Sequence, residues 1–105
     1  MRVTILVGRS ARPSLVRWMQ RMTQLHHGNA DIARLMWAEL RRQLAESHGT
    51  PAGAKYLAGY EPPCWVWRFS ADTWVLYTRE DRDHGVWGGR ERVVTLIGVE
   101  HAPPR

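Results

Sequence analysis

The most informative segment of this chain is Cys64-Trp-Val-Trp-Arg-Phe-Ser-Ala-Asp-Thr-Trp-Val-Leu-Tyr-Thr-Arg79, followed by the run Arg92-Val-Val-Thr-Leu-Ile-Gly-Val99. Residues 64–69 and 74–79 are rich in aromatic and β-branched side chains, and the small polar residues 70–73 separate them as a turn. Residues 92–99 form a third run of this kind after a break that contains Gly and Asp. The three runs predict a meander of antiparallel strands, with one face for a core and the other for a partner.

The N-terminal half predicts one strand and two helices. Residues 2–7 are a short apolar run typical of a buried strand, and residues 8–12 are a loop. Apolar residues recur at helical spacing after Pro13 and again after the capping residue Asn29. The two apolar stripes are Leu15, Trp18, Met19, Met22 and Leu25, then Ile32, Leu35, Met36, Leu40 and Leu44. Helices joined by so short a connection are expected to pack as an antiparallel pair.

These elements define an expected α+β fold with the order β-α-α-β-β-β. We expect a four-stranded, mostly antiparallel sheet with the helical hairpin on one face, because that arrangement buries every apolar stripe. Residues 50–63 are expected to be a long loop before the meander. A length of 105 residues suits one domain, residues 1–105.

Composition favours an anionic partner and a reducing compartment. The net charge is +5, and the 15 basic residues are 14 arginines and Lys55. Arginine suits bidentate phosphate contacts, although many small basic proteins bind no nucleic acid. The single cysteine, Cys64, excludes an intramolecular disulfide. The apolar run at residues 1–7 is interrupted by Gly8 and Arg9, so we expect it to be neither a signal peptide nor a membrane span. We therefore expect a cytoplasmic protein with no membrane partner.

Three segments of the meander carry a resemblance to a known family. Trp65-Val-Trp-Arg68-Phe69, a short turn, Trp74-Val-Leu-Tyr77 and a last strand ending Gly98-Val-Glu-His101 resemble the RelE/ParE superfamily of toxins. The resemblance implies a RelE-like fold and a type II toxin that a cognate antitoxin protein keeps inactive. It also implies action on the ribosome as an mRNA endoribonuclease that inhibits translation, while one branch of the family inhibits DNA gyrase.

The resemblance also indicates site residues. By position in the motifs, it assigns a catalytic role to Arg68, Tyr77 and His101. Arg79 is added as a cation on the neighbouring strand, since cleavage without a metal needs cations for the phosphate and groups that transfer protons. The alternation of side chains along a strand predicts that Arg68, Tyr77 and Arg79 converge on one surface. The alternative is that they are solvated residues of a half-exposed sheet.

Aromatic and basic residues around this set are candidates for RNA binding. They are Trp65, Trp67, Trp74, Lys55 and Arg92. Tryptophan faces would stack on unpaired bases and the cations would hold phosphates. The competing interpretation places the tryptophans in the core or beneath an antitoxin segment, and that interpretation is the stronger one for the tryptophans.

Three functions therefore stay open. The first is a ribosome-dependent mRNA endoribonuclease with no metal and no small-molecule cofactor, since the five histidines and Cys64 show no ligand spacing. The second is a non-catalytic relative, either a gyrase inhibitor or an inactive antitoxin-binding protein, because Trp74 stands where the family usually carries Arg. The third is a plain RNA-binding module. The sequence leaves open whether the chain is an enzyme.

Overall fold

The structure is a computed structural model that describes residues 1–104, so Arg105 of the predicted domain lies outside the described residues. Its strands are β1 (Arg2–Val7), β2 (Lys55–Leu57), β3 (Cys64–Ser70), β4 (Thr73–Asp83) and β5 (Arg90–Glu100). Its helices are α1 (Arg12–Leu25), α2 (Ala30–Glu46) and a single turn, α3 (Gly85–Gly88). A short 3-10 turn, Arg9–Ala11, precedes α1. The fold is α+β.

The five strands form one mixed sheet in the order β1-β5-β4-β3-β2. β1 runs parallel to β5, and the other neighbouring strands are antiparallel. Val75 lies opposite Val99, and Tyr77 lies opposite Leu96, so these four side chains share a face. They join the buried residues of α1 and α2, among them Trp18 and Leu40, in one hydrophobic core. The two helices therefore cover this face, which we call the helix side, and the opposite face is the open side.

Local signals explain where the helices begin and end. Pro13 lies in the first turn of α1, where its missing N–H is not needed. The side chain of Asn29 accepts a hydrogen bond from the backbone N–H of Asp31 at the start of α2. Gly28 and Gly49 follow the two helices with φ of 82° and 74°, and the N–H of Gly49 donates to the carbonyl of Leu44. The two predicted helices are thus present.

The expected number of strands was wrong, because residues Lys55–Leu57 form a strand within the segment predicted as a loop. Tyr56 lies opposite Trp65, so β2 extends the sheet at the free edge of β3. Three residues are too few to show a period of two, so nothing in the local sequence marks them as a strand. Residues 55–57 adopt the strand conformation because they pair with backbone N–H and C=O groups at the edge of β3.

The hairpin of β4 and β5 is longer than predicted. The expected strands ended at Arg79 and began at Arg92, yet pairing continues to Asp83 opposite Arg90. The added residues of β4 are charged and exposed, so they lack the apolar alternation that identifies a strand. Cross-strand pairs such as Asp81 with Arg92 hold this outer part together instead.

Candidate functional site

The register between β3 and β4 divides the predicted catalytic residues between the two faces of the sheet. Trp65 lies opposite Tyr77, and Arg68 lies opposite Trp74. Directly opposed residues share a face, so Tyr77 and Arg79 are on the helix side and Arg68 is on the open side. The prediction that Arg68, Tyr77 and Arg79 converge on one surface is therefore wrong.

Tyr77 belongs to the core. Its side chain is fully buried, and its hydroxyl donates a 2.8 Å hydrogen bond to the carbonyl of Gly49, just after α2. Burial raises the pKa of Tyr77 to about 12. The hydroxyl is thus neutral, paired and out of reach of a substrate, and it joins β4 to the end of α2.

Arg68 and His101 hold the turn between β3 and β4. Arg68 donates from Nε and Nη2 to the carbonyls of Ser70 and Ala71, and its guanidinium carbon lies 4.7 Å from the centroid of the Trp74 ring. Nδ1 of His101 is 3.2 Å from the carbonyl oxygen of Asp72, and its Nε2 is buried without a hydrogen-bond partner among residues 1–104. Both side chains therefore contact the same turn.

Arg79 lies far from that turn. Trp74 lies opposite Glu100, the residue before His101. Arg79 is five positions further along β4 than Trp74, and five steps along a strand cover roughly 17 Å. One phosphate could not contact both Arg79 and His101 in this arrangement. The four residues predicted to be catalytic are not brought together.

The structure instead assembles a cavity around Arg79 on the helix side. It has a volume of about 350 Å³ and is lined by Tyr56, Trp65, Arg79, Asp81 and Arg92, and we call it the helix-side cavity. The guanidinium carbon of Arg79 lies 4.0 Å from the centroid of the Trp65 ring. The ring of Tyr56 packs against the ring of Trp65, with 5.4 Å between the two centroids. Two predicted RNA-binding residues, Trp65 and Arg92, are thus brought beside Arg79.

Hydrogen bonds fix both arginines of this cavity. Nη1 of Arg79 donates to the hydroxyl of Thr50 over 2.8 Å. Arg92 donates from Nε and Nη2 to the two carboxylate oxygens of Asp81, at 2.7 and 3.1 Å, and from Nη1 to the carbonyl of His48. Each guanidinium keeps further N–H groups for a ligand, because an arginine has five donors. The cations are therefore positioned before any ligand arrives.

The electrostatics of the cavity favour an anion. Arg79 and Arg92 face a single carboxylate, that of Asp81. The hydrogen bond from Arg92 lowers the pKa of Asp81 and raises that of Arg92, so both are charged at neutral pH. Two cations and two aromatic rings in one concavity can hold a phosphate and stack on a base. A carboxylate already paired with Arg92 is poorly suited to accept a proton, so the geometry supports binding better than cleavage.

The other predicted RNA-binding residues lie elsewhere. Trp67 is 4% exposed and packs edge-on against Phe69 in the core, so it offers no face to a base. Lys55 and Trp74 line a second cavity, on the open side, together with Arg68. The five residues predicted to bind RNA are therefore not on one surface: Trp67 is buried, and the other four are divided between the helix-side cavity and the open side.

Sequence reasoning missed three residues of the helix-side cavity and its surroundings. Tyr56 lies in the segment that the sequence predicts as a loop, and Asp81 lies in the charged run that it predicts as a break between strands. Thr50 reaches Arg79 only because α2 ends beside β4. Of the three, Tyr56 alone has a signal in the sequence, since an aromatic residue next to Lys55 is typical of a nucleic-acid-binding segment.

Comparison of the chain with models of protein families, with curated proteins and with solved structures finds no match. In residues 1–104, none of the helices has both the length and the apolar character needed to cross a membrane. Over the same residues no cluster of three or more His, Cys, Asp or Glu side chains is arranged to hold a metal ion.

Proposed function

We propose that this chain is a RelE/ParE-like toxin of a type II toxin–antitoxin pair, which inhibits translation in the cytoplasm by binding ribosome-bound mRNA in the helix-side cavity. The observation that carries the proposal is the stacking of Arg79 on Trp65, in the same concavity as Tyr56 and Arg92. Support comes also from the order of strands and helices, which follows the family's order with one short edge strand added.

The residues would act as a clamp on unpaired RNA. A base stacks on the exposed ring of Tyr56, next to Trp65, and the adjoining phosphate accepts hydrogen bonds from Arg79 and Arg92. Thr50 and Trp65 hold the Arg79 guanidinium in place, so little side-chain freedom is lost on binding. The net charge of +5 attracts the RNA over a longer range. An acidic antitoxin would compete for the same cations.

Expression of the chain in a bacterial host tests this proposal. Wild-type protein should arrest growth and protein synthesis, and Arg79→Ala should relieve the arrest. Arg34→Ala is the matched control, because it also removes one arginine but from an exposed pair with Asp31 on α2. Arrest that persists in Arg79→Ala, with Arg34→Ala and wild type alike, would reject the helix-side cavity as the site.

A second candidate is a non-catalytic protein of the same toxin-like fold that inhibits DNA gyrase or only binds its antitoxin. It is favoured by the separation of Arg68, Tyr77 and His101 from Arg79, which leaves the cavity without the predicted catalytic set. Primer extension on ribosome-bound message tests whether the first candidate also cuts the mRNA that it binds, since only an endoribonuclease produces new 5′ ends. A DNA supercoiling assay with gyrase tests the remaining non-catalytic function of this family.

A further inference from the structure

The turn that joins β4 to β5 carries the most exposed apolar side chains among the described residues. Val86 is 94% exposed and Trp87 is 99% exposed. Both residues lie on α3. The neighbouring ends of β4 and β5, Glu80 to Asp83 and Arg90, are exposed as well. The outer hairpin therefore projects from the body of the protein, with a tryptophan at its tip. We call Gly85–Gly88 the hairpin tip.

The hairpin tip does not need Trp87 for its own structure. The N–H of His84 donates to the carbonyl of Gly89, and the N–H of Gly89 donates to the carbonyl of Gly85, both over 2.9 Å. The carboxylate of Asp83 accepts from the N–H of Gly85, and the ring of His84 lies 3.0 Å from Glu91. The backbone and these polar groups hold the turn, so its tryptophan is available for a partner.

Arginine side chains, each close to an acidic residue, lie between the helix-side cavity and the hairpin tip. A further cavity, of about 420 Å³, lies along the outer hairpin, and its lining includes Arg82, Arg90 and Arg92 with two aspartates, Asp81 and Asp83. Arg92 and Asp81 line both cavities. Arg90 and Arg92 are two residues apart on β5, so they share the helix side and are separated by about 7 Å. The cations thus continue from the helix-side cavity toward the hairpin tip.

We propose that Trp87 is a second stacking platform for the same unpaired RNA strand. One base lies in the helix-side cavity, the backbone follows Arg92 and Arg90, and a base several nucleotides away stacks on Trp87. The span fits the site sizes of about 4–16 nucleotides that single-strand binders cover. This inference rests on the proposed function, since it adds a subsite to the same RNA site.

The surroundings of Trp87 fit RNA better than a lipid surface or a protein groove. One Trp and one Val are a small apolar contact for a bilayer, which usually needs a larger apolar face. A protein groove would not require the arginines that lead to the helix-side cavity. Single-stranded RNA offers a phosphate at each nucleotide for the arginines and a flat base for the ring of Trp87.

Binding of an unstructured RNA of about 12 nucleotides to the full chain, at two salt concentrations, tests the subsite. Trp87→Ala should weaken binding roughly tenfold, whereas Trp87→Phe, which keeps an aromatic ring, should stay within about threefold of wild type. Leu35→Ala is the matched control, because Leu35 is also a large exposed apolar residue, at 69%, but lies on α2. It should leave the affinity unchanged.

The outcomes separate this inference from the proposed function. Equal binding by Trp87→Ala and wild type, with Arg79→Ala weakened, overturns the subsite and leaves the proposed function standing. Absence of RNA binding by the wild type overturns both. Binding to vesicles of phosphatidylcholine and phosphatidylglycerol that is lost in Trp87→Ala, with RNA affinity unaltered, would assign the hairpin tip to lipid and overturn the subsite. Because Trp87 is 99% exposed, these variants should fold as the wild type does, and circular dichroism checks this.

Discussion

The guanidinium carbon of Arg79 lies 4.0 Å from the centroid of the Trp65 ring, on the face of the sheet that the helices cover. The contact joins neighbouring strands at the rim of the core, where Tyr56 and Arg92 complete a cavity. A stacked guanidinium that also bonds to Thr50 is ordered before it meets an anion. It is the arrangement in this molecule best suited to bind a phosphate beside a base.

Arg79→Lys should weaken RNA binding although the charge is kept. A lysine ammonium lacks the planar group that stacks on Trp65 and bonds to Thr50 and phosphate together. We expect a loss of about fivefold to tenfold in affinity, measured by fluorescence anisotropy with a labelled single-stranded RNA. Arg34→Lys, on the exposed face of α2, serves as the control. Full affinity in Arg79→Lys would show that only the charge matters.

Asp81→Asn should strengthen RNA binding. The change removes the one carboxylate of the helix-side cavity and frees donors of Arg92 that Asp81 now occupies. The affinity for RNA should rise about fivefold at low salt, and the difference should shrink as salt is added. Asp31→Asn, which also removes a carboxylate paired with an arginine, should have no such effect. A weaker affinity in Asp81→Asn would mean that the carboxylate itself contacts the ligand.

Tyr77→Phe should lower stability and leave RNA affinity unaltered. The variant loses the hydrogen bond to the Gly49 carbonyl, which we expect to cost about 1–2 kcal/mol of unfolding free energy in urea. Loss of RNA binding or of growth arrest in a folded Tyr77→Phe protein would restore a functional role for the hydroxyl.

The same residue should give the wild type a characteristic alkaline transition. The pKa of Tyr77 is about 12 in the folded chain, above the ordinary value of 10.0, so the folded state holds this proton more tightly than the unfolded state. The contribution to stability is therefore complete below pH 10 and is lost as the pH rises toward 12. Urea unfolding of wild type and Tyr77→Phe across this range should show the extra loss in the wild type only.

Arg68→Ala should affect the turn between β3 and β4 more than RNA binding. The guanidinium bonds to the carbonyls of Ser70 and Ala71 and lies on the open side, away from the helix-side cavity. We expect a loss of at most about 1 kcal/mol in unfolding free energy, because these exposed carbonyls can bond to water instead. RNA affinity should change little beyond the general effect of one fewer cation. A large and specific loss of activity would return Arg68 to the site.

One irregularity in the sheet explains why the predicted site was divided. Ser70 lies opposite Thr73, and continuing that register would have placed Arg68 opposite Val75, on the same face as Tyr77 and Arg79. The register shifts by one residue between Arg68 and Ser70, so Arg68 lies opposite Trp74 instead. A shift of one residue moves a side chain to the other face relative to its partners. The alternation of side chains along each strand was predictable, whereas the bulge in the pairing of β3 with β4 was not.

Local periodicity and capping residues predict the α+β class, the two helices with their ends, and the three main strands of the meander without any knowledge of the tertiary structure. Tertiary contacts set the register of β3 on β4, the pairing of Tyr56 with Trp65, and the length of the outer hairpin that carries Trp87. They also bury Tyr77, whose hydroxyl bonds to Gly49, and leave Arg79 only partly buried. These features depend on contacts between segments far apart in the chain, and the pattern within any one segment does not encode which partner it meets.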